Sequence, residues 1–342
     1  MQQDKVREIQ LKLFKQIAQK IPEDQDPISV LCEVLHLSRS NVYRRMRGEK
    51  ILSIGELLTL MEKFHISFDQ LATNRKTNIE FYFPYLDNPI KNFQGYVFPL
   101  YEVVRSFSTI PDITIYYATA ELPFFYYFLS KPLTLFKLFT YAQTTWNLPA
   151  YQNRQFNHES MSEYYQFEEP IREILRHYYT IENLEFWNEH ILNNTLNQIR
   201  TFVYSGLFEN PEHAFLLIEE LRRIMQHVQR MAEQGKKFLP DEGDNIQAPF
   251  NLYHNRIIHT NNTLLALSAQ VDAVFIAYDN PNFIISYNPI LIDHTLNWFK
   301  IVKRHSISIT RDMTSERLFL FNQIEKRIAW VEKEIEHFLQ QV

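Results

Sequence analysis

Glycine is scarce in this chain, at 6 of 342 residues, and there is a single cysteine, Cys32. So little glycine leaves no glycine-rich loop to cradle a phosphate. One thiol excludes an internal disulfide framework and predicts a reducing, cytoplasmic compartment. Met1 is followed by Gln, Gln, Asp and Lys, with no apolar signal core. The longest apolar-looking stretch runs from Leu122 to Tyr141, but Lys131, Lys137, Pro123 and Pro132 interrupt it. A membrane span needs about twenty apolar residues without such breaks, so this stretch predicts buried or interfacial helix and no membrane partner. No HExxH, CxxC or GxSxG pattern occurs. His254 and His259 fall in an expected strand at a spacing that turns them to opposite faces. His213 stands in no recognised ligand spacing with Glu219 and Glu220, and His227 is expected on a helix surface. Glu168-Glu169 and Glu219-Glu220 read as solvated helix faces, because adjacent helical carboxylates do not point together. The expectation is a protein without cofactor or metal that is not an enzyme.

Positive charge in excess is also missing, since the net charge is −5. Its distribution is uneven. Residues 1–76 hold 13 Lys+Arg against 10 Asp+Glu, a balance of +3, and the remainder carries −8. A mildly basic head on an acidic body suits a chain of which only the head meets phosphate. Length and 45% hydrophobic content predict two or more domains.

The head reads as helices throughout. Val6, Ile9, Leu13, Ile17 and Ile21 recur at three- and four-residue spacing on one amphipathic face. Ile28, Leu31, Val34 and Leu35 line a short second helix, and Leu37-Ser38 makes a turn in which Ser38 can cap the next helix. That third helix has Val42 and Met46 as its inner face and stops at Gly48. Ser53 and Glu56 form a capping box for a fourth, with Ile54, Leu57, Leu58 and Met61 as its apolar face. Phe64, Ile66, Phe68 and Leu71 close the bundle. The pattern Leu31-Cys32-Glu33-Val34-Leu35-His36-Leu37-Ser38-Arg39-Ser40-Asn41-Val42, then Arg44, Arg47-Gly48, Leu57-Leu58 and Phe64 to Leu71, resembles the lambda-repressor/Cro-like (XRE) helix-turn-helix family. Cys32 fits that family's small residue in the second helix. Asp26-Pro27-Ile28 stands where a glutamine is common, and Arg45-Met46 departs from the commoner apolar-then-polar order.

The resemblance implies a bundle whose third helix enters the major groove. Residues 38–47 hold four arginines and no acid. Arginine can bond two acceptors on guanine and asparagine two groups on adenine. Arg39, Ser40, Asn41 and Arg44 are therefore the expected base readers. Tyr43, Arg45, Arg47 and Lys50 are the expected phosphate or sugar contacts, with the helix N-terminus near Ser38 open to a phosphate. The expected partner is double-stranded DNA, and the expected function is that of a one-component transcription regulator acting as a homodimer. The alternative is a protein-interaction module whose bundle does not bind DNA.

Residues 77–342 read as a larger α+β region for sensing or dimerisation, in helical (77–240) and mixed (241–342) lobes. Residues 73–78 make a polar linker. Helices are expected at Phe93–Phe107, in two pieces over Glu121–Tyr141 divided at Pro132, at 182–205 and at 211–234. The last has Pro211 and Gly235 at its ends. Ile113–Ala118 reads as a strand. Short apolar runs from Asn251 to Ser286 predict a small antiparallel sheet, with Asp279 to Asn282 as a turn. Pro289–Arg304 predicts a helix, Ser306–Thr310 a short strand and Thr314–Gln341 a long terminal helix. Its stripe Leu318, Phe321, Ile324, Ile328, Val331, Ile335 and Phe338 can pack on its own domain or on a second subunit. The aromatic run Phe124 to Phe128, with Tyr116, Tyr117 and Trp146, is the expected lining of any effector pocket, or else ordinary core.

Overall fold

The computed structural model describes residues 2–22, 25–64, 66, 71, 79–240, 248–256 and 262–341. Phe68, His259, Ile257, Ile258 and the linker expected over 73–78 lie outside them. The chain forms two compact units, Met1–Ile79 and Glu80–Val342.

The first unit is a helical bundle of α1 (Gln2–Lys20), α2 (Pro27–Leu35), α3 (Arg39–Met46) and α4 (Ile54–Phe64). Its core gathers Leu13, Phe14 and Ile17 of α1, Leu31 and Leu35 of α2, Val42 of α3 and Leu60 of α4. These positions recur at three- and four-residue spacing, so each helix turns one apolar stripe inward. Val6 lies outside that core and is exposed. Asp26 caps α2 by accepting from the Ile28 N–H at 3.3 Å, and Pro27 occupies the first turn, where no N–H is needed. α2 ends at His36, whose φ of 51° lies in the left-handed region. The apolar face of α4 is corrected: Leu60 is its buried residue, Leu57 and Met61 pack against the core, and Ile54 and Leu58 are exposed.

The second unit is a mixed sheet between helices. α5 (Pro84–Asp87) and α6 (Gln94–Ser108) precede β1 (Thr114–Ala118), followed by α7 (Phe124–Tyr127), α8 (Lys131–Gln143) and α9 (Glu168–Tyr179). Then come β2 (Glu182–Trp187), α10 (Asn193–Tyr204), α11 (Glu212–Gln234), β3 (Phe250–His254), β4 (Thr263–Leu267), β5 (Ala273–Asp279) and β6 (Asn282–Ser286). α12 (Pro289–Arg304), β7 (Ile307–Ser308) and α13 (Thr314–Leu339) complete it. The expected small antiparallel sheet is corrected to a seven-stranded one in the order β6-β5-β4-β1-β2-β3-β7. β1, β2 and β3 run parallel, with the antiparallel strands outside them. The sheet thus joins strands from before and after residue 240.

The expected helix over 182–205 is instead β2 followed by α10. β2 is a central strand, so both its faces are covered. Leu184 and Phe186 turn toward Phe299 and Val302 of α12. Asn183, Glu185 and Trp187 turn the other way into a buried polar network, which hides the period-two pattern behind polar letters. α11 does begin after Pro211 and end at Gly235, whose φ is 68°. The stripe of α13 is absorbed inside its own unit: Leu320, Phe321, Ile324, Ile328, Val331 and Ile335 are buried, and Leu318 is exposed. No helix among the described residues is long and apolar enough to cross a membrane.

Candidate nucleic-acid interface

Helix α3 is eight residues long and held at both ends. At its start, Asp26 Oδ2 accepts from Ser29 Oγ at 2.7 Å and from Arg39 Nη2 at 2.9 Å. Arg39 Nη1 also donates to Ser29 Oγ at 3.1 Å. The Ser29 hydroxyl, the Ile28 N–H and the Arg39 guanidinium together hold the Asp26 carboxyl below its usual range. Arg39 is therefore clipped to the N-terminus of α2 while remaining on the surface. Ser38 occupies the N-cap position, but its side chain makes no capping bond and accepts instead from Asn41 Nδ2 at 3.1 Å.

The far end of α3 is latched from α1. Buried Gln10 donates through Nε2 to the carbonyls of Arg45, at 2.6 Å, and Lys50, at 2.9 Å. Its Oε1 accepts from the Leu52 N–H at 2.8 Å. Gly48 turns the chain between them at φ 68°, and a Cβ there would stand 2.8 Å from Arg7 Cγ. The left-handed φ favours glycine there, and a Cβ would in addition have to displace the exposed Arg7 side chain.

Arg45 is the correction at this site. The sequence places it among the phosphate contacts, but in the fold it is 4% exposed. Its Nη2 meets Glu56 Oε1 at 2.6 Å and its Nη1 donates to the Asn41 carbonyl at 3.2 Å. Glu56 also completes the capping box of α4, accepting from the Ser53 N–H at 2.8 Å while its own N–H donates to Ser53 Oγ at 3.2 Å. Burial opposes ionisation of Glu56, but Arg45 and Ser53 more than offset it, so its carboxyl lies below the usual range. Met46 is only partly buried, and Val42 and Arg45 form the inner face.

What α3 presents outward is Ser40, Tyr43, Arg44 and Arg47, all exposed and spaced i, i+3, i+4 and i+7 on one face. Arg44 makes no ion pair among the described residues. Arg47 Nε lies 3.2 Å from Glu49 Oε1 in an exposed pair, and Lys50 is exposed beyond it. Asn41 is half-buried beside the stripe. Of the nine expected contact residues, all but Arg45 thus remain on or beside the surface.

The second unit holds buried polar clusters that motif searching passes over. Lys137, fully buried, meets Glu121 Oε1 at 2.5 Å and Gln198 Oε1 at 3.0 Å, and Glu121 Oε2 accepts from Asn280 Nδ2 at 2.8 Å. Glu185 accepts from the Tyr126 and Tyr178 hydroxyls, Asn183 Nδ2 and Trp187 Nε1, all within 3.0 Å. Burial pushes its carboxyl up, and burial lowers nearby Lys237 to about 7. Lys237 Nζ donates to the Tyr178 and Ile181 carbonyls, each at 2.9 Å. His254 lies between Glu316 Oε1, 2.7 Å from Nδ1, and Glu189 Oε2, 3.3 Å from Nε2. The only sequence signal for these groups is a charge inside an apolar run, as in residues 132–142, which reads equally as an interruption.

Tyr117 and Phe124 line a cavity of about 20 Å³ beside Glu121, with Tyr141, Asn280 and Phe283. That is room for one water. Tyr126, Tyr127 and Phe128 are core. His227 is corrected from surface to interior, packed by Tyr179 and Phe238. No protein-family model, curated protein or solved structure matches the chain.

Proposed function

We propose that the protein is a sequence-specific DNA-binding transcription regulator of the one-component type, with α2 and α3 as a helix-turn-helix and the second unit sensing a signal or mediating dimerisation. The observation that carries this reading is the outward stripe of α3. Ser40, Tyr43, Arg44 and Arg47 share one face of a short helix latched at both ends, with Arg39 and Lys50 flanking it. Arg44, free of acidic partners among the described residues, is the foremost base reader, with Ser40 and Asn41 beside it. Tyr43, Arg47 and Lys50 bind phosphate or sugar and set register. Arg39 exchanges Asp26 for a phosphate or a base edge. A homodimer reads two half-sites about one helical turn apart.

Selection of bound duplexes from a random pool tests this. The wild type enriches a defined half-site, and Arg44→Ala costs about 1–3 kcal/mol and relaxes one base preference. Affinity falls steeply with salt as counterions return to the DNA. A second reading, a protein-interaction module, draws on the exposed Ile51, Ile54 and Leu58 at the start of α4. Failure to retain any duplex at low salt would select it.

A further inference from the structure

His254 ends β3, and its ring meets a carboxylate at each nitrogen. Nδ1 lies 2.7 Å from Glu316 Oε1 in the first turn of α13, and Nε2 lies 3.3 Å from Glu189 Oε2 in the turn after β2. The ring is fully buried, while the Glu316 and Glu189 side chains are 16% and 34% exposed. Arg256 Nη2 donates to the same Glu316 oxygen at 2.7 Å. Among the described residues, the charged and titratable groups around the ring are Glu189, Arg256 and Glu316, with His190 acting on Glu189. Ile307 of β7 and Phe319 of α13 are its apolar neighbours.

A neutral imidazole carries one N–H and one lone pair, and only the imidazolium donates from both nitrogens. An ionised carboxylate only accepts. With a carboxylate at each nitrogen, both bonds are made only when the ring is doubly protonated. Burial raises the Glu189 and Glu316 carboxyls, yet bonds that include those from His254 hold both below the usual range. The ring therefore faces two acceptors with no proton of their own to offer. The two bonds are unequal. The shorter runs to the more buried Glu316, which Arg256 and the N-terminus of α13 hold in place. The longer runs to the more exposed Glu189, which water can receive.

We propose that His254 is a proton-operated clasp: doubly protonated, it ties the turn after β2 to the first turn of α13, and loss of the Nε2 proton releases that turn. When Nε2 gives its proton to solvent, its lone pair faces Glu189 Oε2 and the bond is lost, while Nδ1 keeps Glu316. The turn is a junction. The Asn188 carbonyl accepts from the Ile191 N–H at 3.3 Å, and the Ile191 carbonyl accepts from the Leu122 N–H at 3.0 Å, just beyond β1. The clasp thus acts on a segment bonded to the chain leaving β1. Loosening follows rising pH, because the fully bonded state is the protonated one. The inference does not depend on DNA binding.

The test follows the full chain, labelled with nitrogen-15 histidine, upward from about pH 5. His254 is assigned by the signals lost in His254→Gln. Both of its nitrogens start protonated, and Nε2 releases its proton while Nδ1 keeps its own. Across that step, hydrogen exchange in peptides spanning residues 187–192 rises at least about threefold beyond the intrinsic effect of pH, and no such rise occurs in His254→Gln. Glu189→Gln alters a partly exposed side chain and keeps the fold even where His254→Gln does not. It moves the step to lower pH, because the anion that held the Nε2 proton is gone. The proposal is overturned by a singly protonated ring at the lowest pH that keeps the fold, or by a ring that keeps both protons to the alkaline limit of folding. Loss of the Nδ1 proton first, exchange at 187–192 indifferent to the step, or a step unmoved in Glu189→Gln overturns it equally.

Discussion

Replacing Arg45 by alanine separates the two roles that arginines play in α3. Its guanidinium is nearly fully buried and its partner Glu56 only partly so, with side chains 5% and 18% exposed. Removing one member of a buried pair costs about 3–5 kcal/mol, because the other charge stays behind. Glu56 keeps some water and its bonds to Ser53, so a cost of about 2–3 kcal/mol is expected here. Arg44→Ala removes an exposed side chain and should change stability by less than about 0.5 kcal/mol. The pair of substitutions is then crossed: Arg45→Ala is expected to loosen the bundle, and Arg44→Ala to weaken the proposed binding to DNA. All four tryptophans, at 146, 187, 298 and 330, lie in the second unit, so their fluorescence is silent about this one. Hydrogen exchange read on peptides spanning α3 and α4 is the suitable assay. Arg45→Ala should raise the opening equilibrium there by roughly 30- to 150-fold, about 2–3 kcal/mol. Glu56 has a folded pKa below its unfolded value, so the stability it contributes is present above the unfolded pKa. That contribution is lost as pH falls through the folded pKa, and the gap between wild type and Arg45→Ala should narrow on acidification. Equal protection in wild type and Arg45→Ala at neutral pH would refute the buried-pair account. So would a loss of DNA affinity in Arg45→Ala with protection unchanged.

Three further outcomes follow from the backbone and the second unit. His36→Gly relieves a left-handed residue at the end of α2 and should stabilise the first unit by about 0.5–1 kcal/mol, after the entropy that glycine loses, read by the same exchange measurement. Gly48→Ala meets Arg7 and adopts a strained φ, and should cost about 1–2 kcal/mol in that assay. Lys137→Met leaves Glu121 without its cation in the interior and should cost about 3–5 kcal/mol in tryptophan-monitored denaturation, with Glu121→Gln added to it restoring part of the loss.

The head was legible because its devices are local. Ser53 and Glu56 sit three apart and cap α4 as the letters say, and Gly48 ends the turn after α3. Long helices of the second unit were legible for the same reason, Pro289–Arg304 and Glu212–Gln234 among them. Sheet order was not, since β1 pairs with β2 across the crossover and with β4 much later in the chain. β2 misled because Asn183 and Glu185 point inward, toward Tyr178 and Tyr126, where a reading by hydropathy places solvent.

The misreading of Arg45 has the same cause and bears most directly on function. A helix facing DNA needs cations outward, and counting them along 38–47 treats all four as available. The inward places of α3 are decided by what the rest of the bundle brings to them. Val42 meets the apolar core. The next inward position meets Glu56, a residue already committed to capping α4. An arginine there ties the orientation of α3 to the start of α4, through a pair whose burial makes it sensitive to small displacements. Gln10 reads the same turn from the other side through the Arg45 carbonyl. Arg44 can then be presented at a fixed angle because its neighbour is not free to join it.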